Sequence, residues 1–386
     1  MVNRVKTFPG RLGIQQRVLP AYRGRFFDAL AEACEGGLSI FAGDVHPDES
    51  IPTTKELDVA RYVHSRNFHF LQVQSPYYFL WQAGLVQWME DWNPDILVVE
   101  ANPRYMSTHG AIRWMHRRGK PVIGWGLGAP PLEGGFSQWG RFIAEKRNVE
   151  RKKFLNQLDA VIAYSHKGAG EYKKETFSSQ NIFVAPNAVA RRPAGQPPQR
   201  SPGYDGRPKV LFVGRIQPRK RIENLLRACA GLPEAIQPLL WIVGDGPSRR
   251  ELQTLAGQIY PSAEFPGEMR GYELKEYFSQ ADLFVLPGTG GLAVQEAMAY
   301  GLPVIVAEGD GTQDDLVSSG NGWLITPDDE NALIKSLEEA LSDPMRLREM
   351  GEESFKIVQE EINVEHMVAV FVEAANLVKA SMDSHL

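Results

Sequence analysis

Residues Leu283-Phe-Val-Leu-Pro-Gly-Thr-Gly-Gly-Leu-Ala-Val-Gln-Glu-Ala-Met-Ala-Tyr-Gly-Leu-Pro-Val-Ile305 run from a short apolar segment through a glycine turn into a helical segment, and then into a second apolar segment. Short apolar segments separated by a helix are the pattern of a βαβ unit around a parallel sheet. The turn contains Gly288, Gly290 and Gly291, which let backbone N–H groups approach a ligand closely. The helix from about Leu292 directs its positive end to the same place. The stretch therefore predicts a doubly wound fold and an anion site within it.

The same alternation of apolar runs and amphipathic segments occurs along the whole chain. The predicted strands are 14–19, 95–100, 121–125, 160–163 and 182–185 in the first half, and 209–213, 239–243, 283–286 and 303–307 in the second. The pattern predicts an α/β protein with two doubly wound, Rossmann-like domains. Ligands of such sheets gather at the carboxyl ends of the strands, so the residues that follow each run are the candidate site residues.

The length and composition agree with two domains. The chain has 386 residues, of which 43% are hydrophobic and 23% charged, which is typical of a globular protein too long for one ordinary domain. Residues 191–208 are rich in proline and glycine, which disfavour helix and central strand. We therefore predict a first domain over 1–190, a linker over 191–208 and a second domain over 209–365, followed by an amphipathic helical tail over about 366–386.

Charge is distributed unevenly between the halves. Residues 1–190 carry 23 Lys and Arg against 18 Asp and Glu, whereas residues 191–386 carry 19 against 29. The total of −5 argues against a general nucleic-acid binder. The two cysteines, Cys34 and Cys229, have no metal-ligand or disulfide spacing, and no run approaches the ~18 apolar residues of a membrane span. We expect a cytoplasmic protein.

A second anion site is predicted after the strand at 209–213. Gly214 begins a turn that carries Arg215 and Lys220 before the next helix. Turn amides, a helix N-terminus and fixed positive charge suit a diphosphate; a solvated basic loop is the alternative. In the helix after Gly291, Glu296 is placed to accept hydrogen bonds from a vicinal diol such as a ribose, and its apolar neighbours predict a buried, partnered carboxylate.

These elements together resemble the C-terminal half of retaining glycosyltransferases of family 4, which have the GT-B fold. The resemblance rests on ordered motifs over about residues 209–345: Gly214-Arg215-x4-Lys220, Val243-Gly-Asp-Gly-Pro247, and Gly290-Gly-Leu-x3-Glu296-Ala-Met-Ala-x-Gly301-x-Pro-Val-Ile. It implies two Rossmann-like domains that face each other across a cleft, with the C-terminal tail packed back on the first domain.

The resemblance also implies a function and residue roles. A sugar would pass from a nucleotide-diphosphate sugar, the donor substrate, to a saccharide or lipid-linked saccharide acceptor, as in polysaccharide or glycoconjugate synthesis, with retained configuration and without metal or other cofactor. Arg215 and Lys220 would neutralise the diphosphate, and Glu296 would bind the ribose. The remaining donor-binding positions would be Gly214, Gly288, Thr289, Gly290, Gly291 and Leu292.

One position departs from the family pattern. The family commonly has a glutamate eight residues before Glu296, often in contact with the transferred sugar, and this chain has Gly288 there. The departure leaves open an altered donor choice or a loss of activity. A non-catalytic nucleotide-sugar binder is therefore one alternative function. A GT-B nucleotide-sugar epimerase, which would share the fold and the diphosphate site, is the other.

Candidate acceptor residues follow the predicted strands of the first domain. They are Tyr22 and Arg23 after the first strand, Glu100 and Asn102 after the second, and Trp125 at the end of the third. Arg23 is expected to be free to assist the phosphates or to contact the acceptor; an exposed turn arginine without such a role is the alternative.

A basic helical segment over 141–154 carries Phe142, Ile143, Val149 and Phe154 among its cations. Such a helix can lie on an anionic membrane surface, which would place the protein peripherally on the inner face of the cytoplasmic membrane. The alternative is an ordinary surface helix whose apolar residues belong to the core.

Overall fold

The structure, a computed structural model, describes residues 7–49, 51–73, 75, 77–130, 132, 138–175 and 181–384. The chain divides into two compact units, residues 1–189 with 364–386, and residues 190–363. Each unit is a largely parallel sheet covered by helices, which confirms the predicted α/β class with two doubly wound domains.

The first unit is built on an eight-stranded sheet in the order β4-β3-β2-β1-β5-β6-β7-β8. Its neighbouring strands pair in parallel apart from β3 and β4, which are antiparallel. The strands are β1 (Leu12–Val18), β2 (Leu38–Gly43), β3 (Arg61–Phe70), β4 (Phe79–Ala83), β5 (Ile96–Glu100), β6 (Val122–Gly126), β7 (Ala160–Ala163) and β8 (Ile182–Val184). The order reverses between β1 and β5, so the loops after these two strands flank the ligand position expected of such a sheet.

Helices cover both faces of this sheet because its central strands are buried on both sides. All six residues of β2 are buried, and α1 places Phe26, Phe27 and Leu30 against the sheet. The helices before the second unit are α1 (Gly24–Glu32), α2 (Leu85–Trp92), α3 (Met106–His116), α4 (Gln138–Leu155) and α5 (His166–Glu175).

The second unit is built on a six-stranded parallel sheet in the order β11-β10-β9-β12-β13-β14. Its strands are β9 (Lys209–Val213), β10 (Leu239–Val243), β11 (Ala263–Gly267), β12 (Leu283–Leu286), β13 (Val304–Ala307) and β14 (Gly322–Ile325). Its helices are α6 (Ile222–Gly231), α7 (Arg249–Ile259), α8 (Gly271–Gln280), α9 (Leu292–Ala299), α10 (Thr312–Leu316), α11 (Glu330–Ser342) and α12 (Pro344–Glu360). The order reverses between β9 and β12.

The segment 191–208, predicted as a linker, has no helix or strand and lies in the second unit. Arg200 fixes it there, because its guanidinium donates hydrogen bonds to the backbone carbonyls of Ala281, Tyr300 and Phe278 at 2.8 to 3.0 Å. The second unit therefore begins at residue 190, before the predicted boundary at 209.

The last helix, α13 (Val364–Asp383), belongs to the first unit. It packs against α1, where the rings of Phe371 and Phe26 meet edge to face with centroids 5.0 Å apart. Burying an aromatic side chain of this kind contributes about 1.5–3 kcal/mol. The apolar face of the predicted tail thus completes the core of the first unit; residues 385 and 386 lie outside the described residues.

Candidate functional site

The candidate donor site lies where the strand order of the second unit reverses. Strands β9 and β12 are direct neighbours there, with Leu283 paired to Val210 and Phe284 to Leu211. The loops that follow them contain the predicted residues 214–220 and 287–291. The fold therefore brings together two loops that are about 70 residues apart in sequence, at the edge where doubly wound sheets bind ligands.

Hydrogen bonds join these two loops directly. The Lys220 ammonium donates to the Thr289 carbonyl oxygen at 2.7 Å, and the Thr289 amide donates to the Arg219 carbonyl oxygen at 3.1 Å. Burial lowers the pKa of Lys220 to about 8, and the positive charge of Arg219 acts in the same direction. Partial burial means that an anion at Lys220 would interact with it more strongly than in bulk water.

Gly288 and Gly290 allow this close contact. A Cβ added at Gly288 would lie 2.3 Å from the Arg219 carbonyl oxygen, which is backbone and has little freedom to move. Gly290 has φ +135°, and a Cβ there would lie 2.4 Å from Lys220 Nζ. Glycine at 288, where the family commonly has glutamate, is therefore explained by backbone packing: this arrangement of the two loops has no space for a side chain at that position.

The motif Val243-Gly-Asp-Gly-Pro247 supports the first loop from its other side. The Ile216 amide donates to the Asp245 carbonyl oxygen at 2.8 Å, and the Gly214 amide donates to the Val243 carbonyl oxygen at 3.0 Å. A Cβ at Gly244 would lie 2.0 Å from the Gly214 carbonyl oxygen. The motif identified from the sequence thus has a structural role, since it holds the backbone around Gly214.

Helix α9 begins beside Lys220 with its first amides uncapped by a side chain. Gly291 is the residue before the helix and provides no side-chain cap, and Leu292 is half-buried. The buried Gln313 donates from Nε2 to the Gly290 carbonyl oxygen at 3.0 Å, which fixes the turn before the helix. The uncapped helix N-terminus and the lysine ammonium provide two sources of positive potential at one place.

The structure differs from the prediction at Glu296, which is exposed rather than buried. Helix α9 turns Val294, Ala297 and Met298 into the core, and this helical spacing leaves Glu296 on the outer face. Burial raises the pKa of Tyr300, and the negative charge of Glu296 adds to this effect. Arg215 is likewise exposed after β9.

A cavity of about 870 Å³ lies in the first unit at the carboxyl end of β5. Three of the predicted acceptor residues, Glu100, Asn102 and Trp125, line it, whereas Tyr22 does not. The Glu100 carboxylate accepts a hydrogen bond from the Arg17 amide, and Asn102 Oδ1 accepts one from the Arg104 amide at 3.1 Å. Asn102 therefore orients a loop of the cavity wall.

The expectation of a free Arg23 is wrong. Its side chain is only 7% exposed, and its guanidinium donates to Gln16 Oε1 and to the Tyr164 hydroxyl, both at 2.7 Å. It also lies over the Trp125 ring at 4.3 Å from the centroid. Trp125, a candidate acceptor residue, is itself 1% exposed and packs against Phe371, so its ring lies in the core at the cavity wall.

Sequence reasoning missed several residues of both sites. In the second unit these are Arg219, whose backbone anchors Thr289, and Gln313, which has no motif of its own. In the first unit the cavity is also lined by Arg104, Tyr105, Lys146, Arg147 and Tyr172. Two features of the sequence pointed to some of these residues: Arg104 and Tyr105 follow the predicted strand 95–100, and Lys146 and Arg147 belong to the basic segment 141–154. Among the described residues, no group of three or more His, Cys, Asp or Glu side chains is placed to hold a metal ion.

The second unit matches a known family of sequences. Residues 197–357 match the family described as Glycosyl transferases group 1. A GDP-mannose-dependent alpha-mannosyltransferase of Mycolicibacterium smegmatis is 42% identical over 127 residues, which cover 32% of each chain. The sulfoquinovosyl transferase SQD2 of Arabidopsis thaliana is 35% identical over 149 residues, covering 37% of this chain and 28% of that protein. The chain thus matches about a third of the length of these relatives.

Solved structures resemble the chain over nearly its whole length. Sucrose-phosphate synthase from Thermosynechococcus elongatus has a TM-score of 0.66 at 21% identity, covering 96% of this chain and 99% of that one. Anabaena HepE in complex with UDP-glucose has a TM-score of 0.59 at 16% identity, covering 97% and 100%. These likenesses confirm the predicted fold, and the family match confirms the resemblance found in the motifs. Residues 197–357 are thus similar to the glycosyl transferases group 1 family, and the chain has a GT-B fold.

Proposed function

We propose that this protein transfers a sugar from a nucleotide-diphosphate sugar to a saccharide or lipid-linked saccharide acceptor, in polysaccharide or glycoconjugate synthesis. The observation that carries the proposal is the position of Lys220, which is fixed between the loops after β9 and β12 beside the N-terminus of α9. The family match supports glycosyl transfer. The relative named as GDP-mannose-dependent and the HepE complex with UDP-glucose support a nucleotide-sugar donor.

The chemistry requires stabilisation of a leaving group. Cleavage of the anomeric C–O bond leaves negative charge on the diphosphate and develops positive charge on the sugar. Lys220, Arg215 and the backbone amides at Gly291 and Leu292 would stabilise the diphosphate by fixed positive potential, which is commonly the largest catalytic contribution. Glu296, exposed on α9, would accept hydrogen bonds from the ribose hydroxyls.

We further propose that the transferred sugar retains its anomeric configuration. We also propose that side-chain cations, rather than a metal ion, neutralise the diphosphate. The acceptor hydroxyl would attack from the face that the diphosphate leaves, and a diphosphate oxygen would take its proton. This route needs no protein nucleophile. The product's anomeric configuration, read by NMR from the coupling of its anomeric proton, tests it: retention supports the proposal, and inversion contradicts it. Turnover in the presence of EDTA tests the metal independence.

Donor binding can be tested first. The wild-type protein would be heated with UDP, GDP and their sugars, because a ligand that binds only the folded state raises the melting temperature in proportion to its affinity. We expect either UDP and its sugars or GDP and its sugars to raise the melting temperature by several degrees. In the Lys220→Ala variant, the same ligand should raise it by less. Release of nucleoside diphosphate upon addition of acceptor then measures transfer. No shift with any nucleotide would contradict the proposal.

The acceptor is proposed to be presented at an anionic membrane surface on the cytoplasmic side. Helix α4 carries six Lys and Arg against two Glu. Trp139 and Phe142 on this helix are 75% and 60% exposed, and their rings are 6.3 Å apart. Cations combined with exposed aromatic rings suit a lipid headgroup region. Phe154, in contrast, is buried in the core.

Liposome sedimentation tests this surface. We expect vesicles containing phosphatidylglycerol to sediment the protein at low salt, and the double variant Trp139→Ser/Phe142→Ser to stay in the supernatant. Neutral phosphatidylcholine vesicles are the control. Equal sedimentation of the double variant and the wild type would contradict the role of α4. None of the described helices is long and apolar enough to cross a bilayer.

A further inference from the structure

The cavity of the first unit has the size of a small-molecule site. Its volume of about 870 Å³ lies within the range of roughly 300–1,000 Å³ that such sites occupy. Its walls come from the loop after β5, the end of β6, α4 and α5. Tyr77, Phe79 and Tyr105 contribute aromatic rings, whose apolar faces and polar edges suit sugar rings.

Among the described residues, three buried polar atoms of the cavity wall have no hydrogen-bond partner: Arg151 Nε, Trp125 Nε1 and the Tyr172 hydroxyl. Trp125 and Tyr172 are each only 1% exposed. The Tyr172 hydroxyl lies near the Gly128 amide without an aligned hydrogen bond to it. A buried donor without a partner costs about 1–3 kcal/mol, so Trp125 Nε1 and the Tyr172 hydroxyl are suited to a ligand that brings hydroxyl oxygens into the cavity.

The charged groups of the cavity wall are mostly cationic. Its lining includes the cations Arg104, Lys146, Arg147 and Arg151 and the carboxylates Glu100 and Glu150. The Glu100 carboxylate is already engaged by the Arg17 amide and by Tyr105. Among the described residues, neither Lys146 nor Arg147 has a carboxylate oxygen within 4.0 Å. Their charge therefore remains available to an anion.

We propose that this cavity binds the acceptor, and that the acceptor is a saccharide with a phosphate or carboxylate group next to the sugar that receives the transfer. Trp125 and Tyr172 hydrogen-bond the sugar, and Lys146 and Arg147 bind the anionic group, with charge-assisted hydrogen bonds about twice as strong as neutral ones. This inference rests on the proposed function and specifies the substrate class at the acceptor side.

Isothermal titration of the whole protein tests the inference without a transfer assay. The probes are glucose 1-phosphate, glucuronate, neutral methyl glucoside and inorganic phosphate. We expect the two anionic sugars to bind at least tenfold more tightly than methyl glucoside and than inorganic phosphate. Equal binding of the neutral glucoside would overturn the role of charge, and equal binding of inorganic phosphate would overturn the role of the sugar.

Three variants assign the binding to the cavity. Lys146→Gln/Arg147→Gln is expected to weaken glucose 1-phosphate at least tenfold. Tyr172→Phe is expected to weaken methyl glucoside and glucose 1-phosphate by the same factor, because it removes a contact to the sugar alone. Lys152→Gln/Lys153→Gln makes the same double charge change on α4 outside the cavity and should stay within twofold of wild type. Unchanged affinity in the double variant would overturn the assignment.

The source of the anion is distinguished by phosphatidylinositol vesicles. If the vesicles sediment the protein and glucose 1-phosphate abolishes this sedimentation, the anionic group belongs to a lipid headgroup. If the protein binds glucose 1-phosphate but does not sediment with the vesicles, the anionic group belongs to a free saccharide. Either result supports an anionic saccharide as the acceptor. Binding of UDP and GDP to the wild type is measured separately. Loss of that binding alone counts against the proposed function, and loss of sugar-phosphate binding alone counts against this inference.

Discussion

The ammonium of Lys220 donates a 2.7 Å hydrogen bond to the backbone carbonyl oxygen of Thr289, across the reversal point of the second sheet. The acceptor is a neutral carbonyl, so the bond fixes the position of the ammonium without neutralising its charge. Among the described residues, no carboxylate forms an ion pair with Lys220. A positioned but unneutralised cation next to a helix N-terminus is what a diphosphate site requires.

Removal of the cations should affect turnover far more than folding. We expect Lys220→Ala and Arg215→Ala each to lower kcat by ~10²-fold or more, because each deletes positive potential at the leaving group. Release of nucleoside diphosphate at saturating donor measures this. Arg227→Ala changes an exposed arginine on α6 and should stay near wild type. Near-wild-type turnover of both site variants would refute the phosphate assignment.

The affinity for nucleoside diphosphate should fall at alkaline pH. In the free protein burial lowers the pKa of Lys220 to about 8, so its charge is present below pH 8 and is lost above it. A bound diphosphate stabilises the charged form. We therefore expect titration calorimetry to give constant affinity between about pH 7 and 7.5, where the terminal phosphate of the ligand is ionised, and up to tenfold weaker binding per pH unit above 8.

Lys220→Arg is the matched control for this pH profile, because a guanidinium remains charged throughout the range. Its absolute affinity can be lower, but its affinity should not vary between pH 7.5 and 9.5. A wild-type slope that persists in the variant would assign the titration to another group.

Gly288 should not tolerate a side chain. A Cβ there would meet the Arg219 carbonyl oxygen at 2.3 Å and the Lys220 carbonyl carbon at 2.6 Å, so the two loops would have to separate. Overpacking of this kind costs about 1–3 kcal/mol. We expect Gly288→Ala to lower the melting temperature and weaken nucleoside diphosphate binding. Gly288→Glu, which introduces the residue common in the family, should do the same rather than improve turnover.

The control for this substitution is Gly257→Ala in α7, where an added Cβ meets nothing within 4 Å. Alanine in an open helical position stabilises by roughly 0.5–1 kcal/mol, so the melting temperature should stay unchanged or rise. If Gly288→Glu were instead active and as stable as wild type, backbone packing would not be the reason for glycine at this position.

The sequence predicted most strands of the two sheets and missed others, among them the fully buried β2. Strands β7, β9, β10 and β12 have the predicted bounds, because continuous apolar runs mark strands that are buried on both faces. Strand β3 was missed although it pairs with a strand on each side, because no continuous apolar run marks it and half of its residues are exposed. Strand β11 was missed because Pro266 interrupts it, which only an edge strand tolerates.

The sequence predicted the loops of the candidate site but not the surroundings of its individual side chains. Glycine spacing identified the loops around Gly214 and Gly290, because close backbone approach requires glycine regardless of what lies opposite. The environment of Arg23 could not be predicted, because Gln16, Trp125 and Tyr164 reach it from three separate strands or strand ends. Glu296 was predicted to be buried because its sequence neighbours are apolar. The helical period of α9 instead places it on the exposed face of the helix.

Arg23 should prove to be a stability residue of the first unit. Arg23→Leu leaves Gln16 Oε1 and the Tyr164 hydroxyl without their partner, and each such loss costs about 1–3 kcal/mol. We expect the free energy of unfolding to fall by roughly 2–4 kcal/mol. Urea unfolding followed by tryptophan fluorescence measures this, because six of the eight tryptophans lie in the first unit. Arg25→Leu, at an exposed position on α1, should change stability by less than about 0.5 kcal/mol. If Arg23→Leu instead lost turnover while its stability stayed unchanged, Arg23 would be assigned to the functional site.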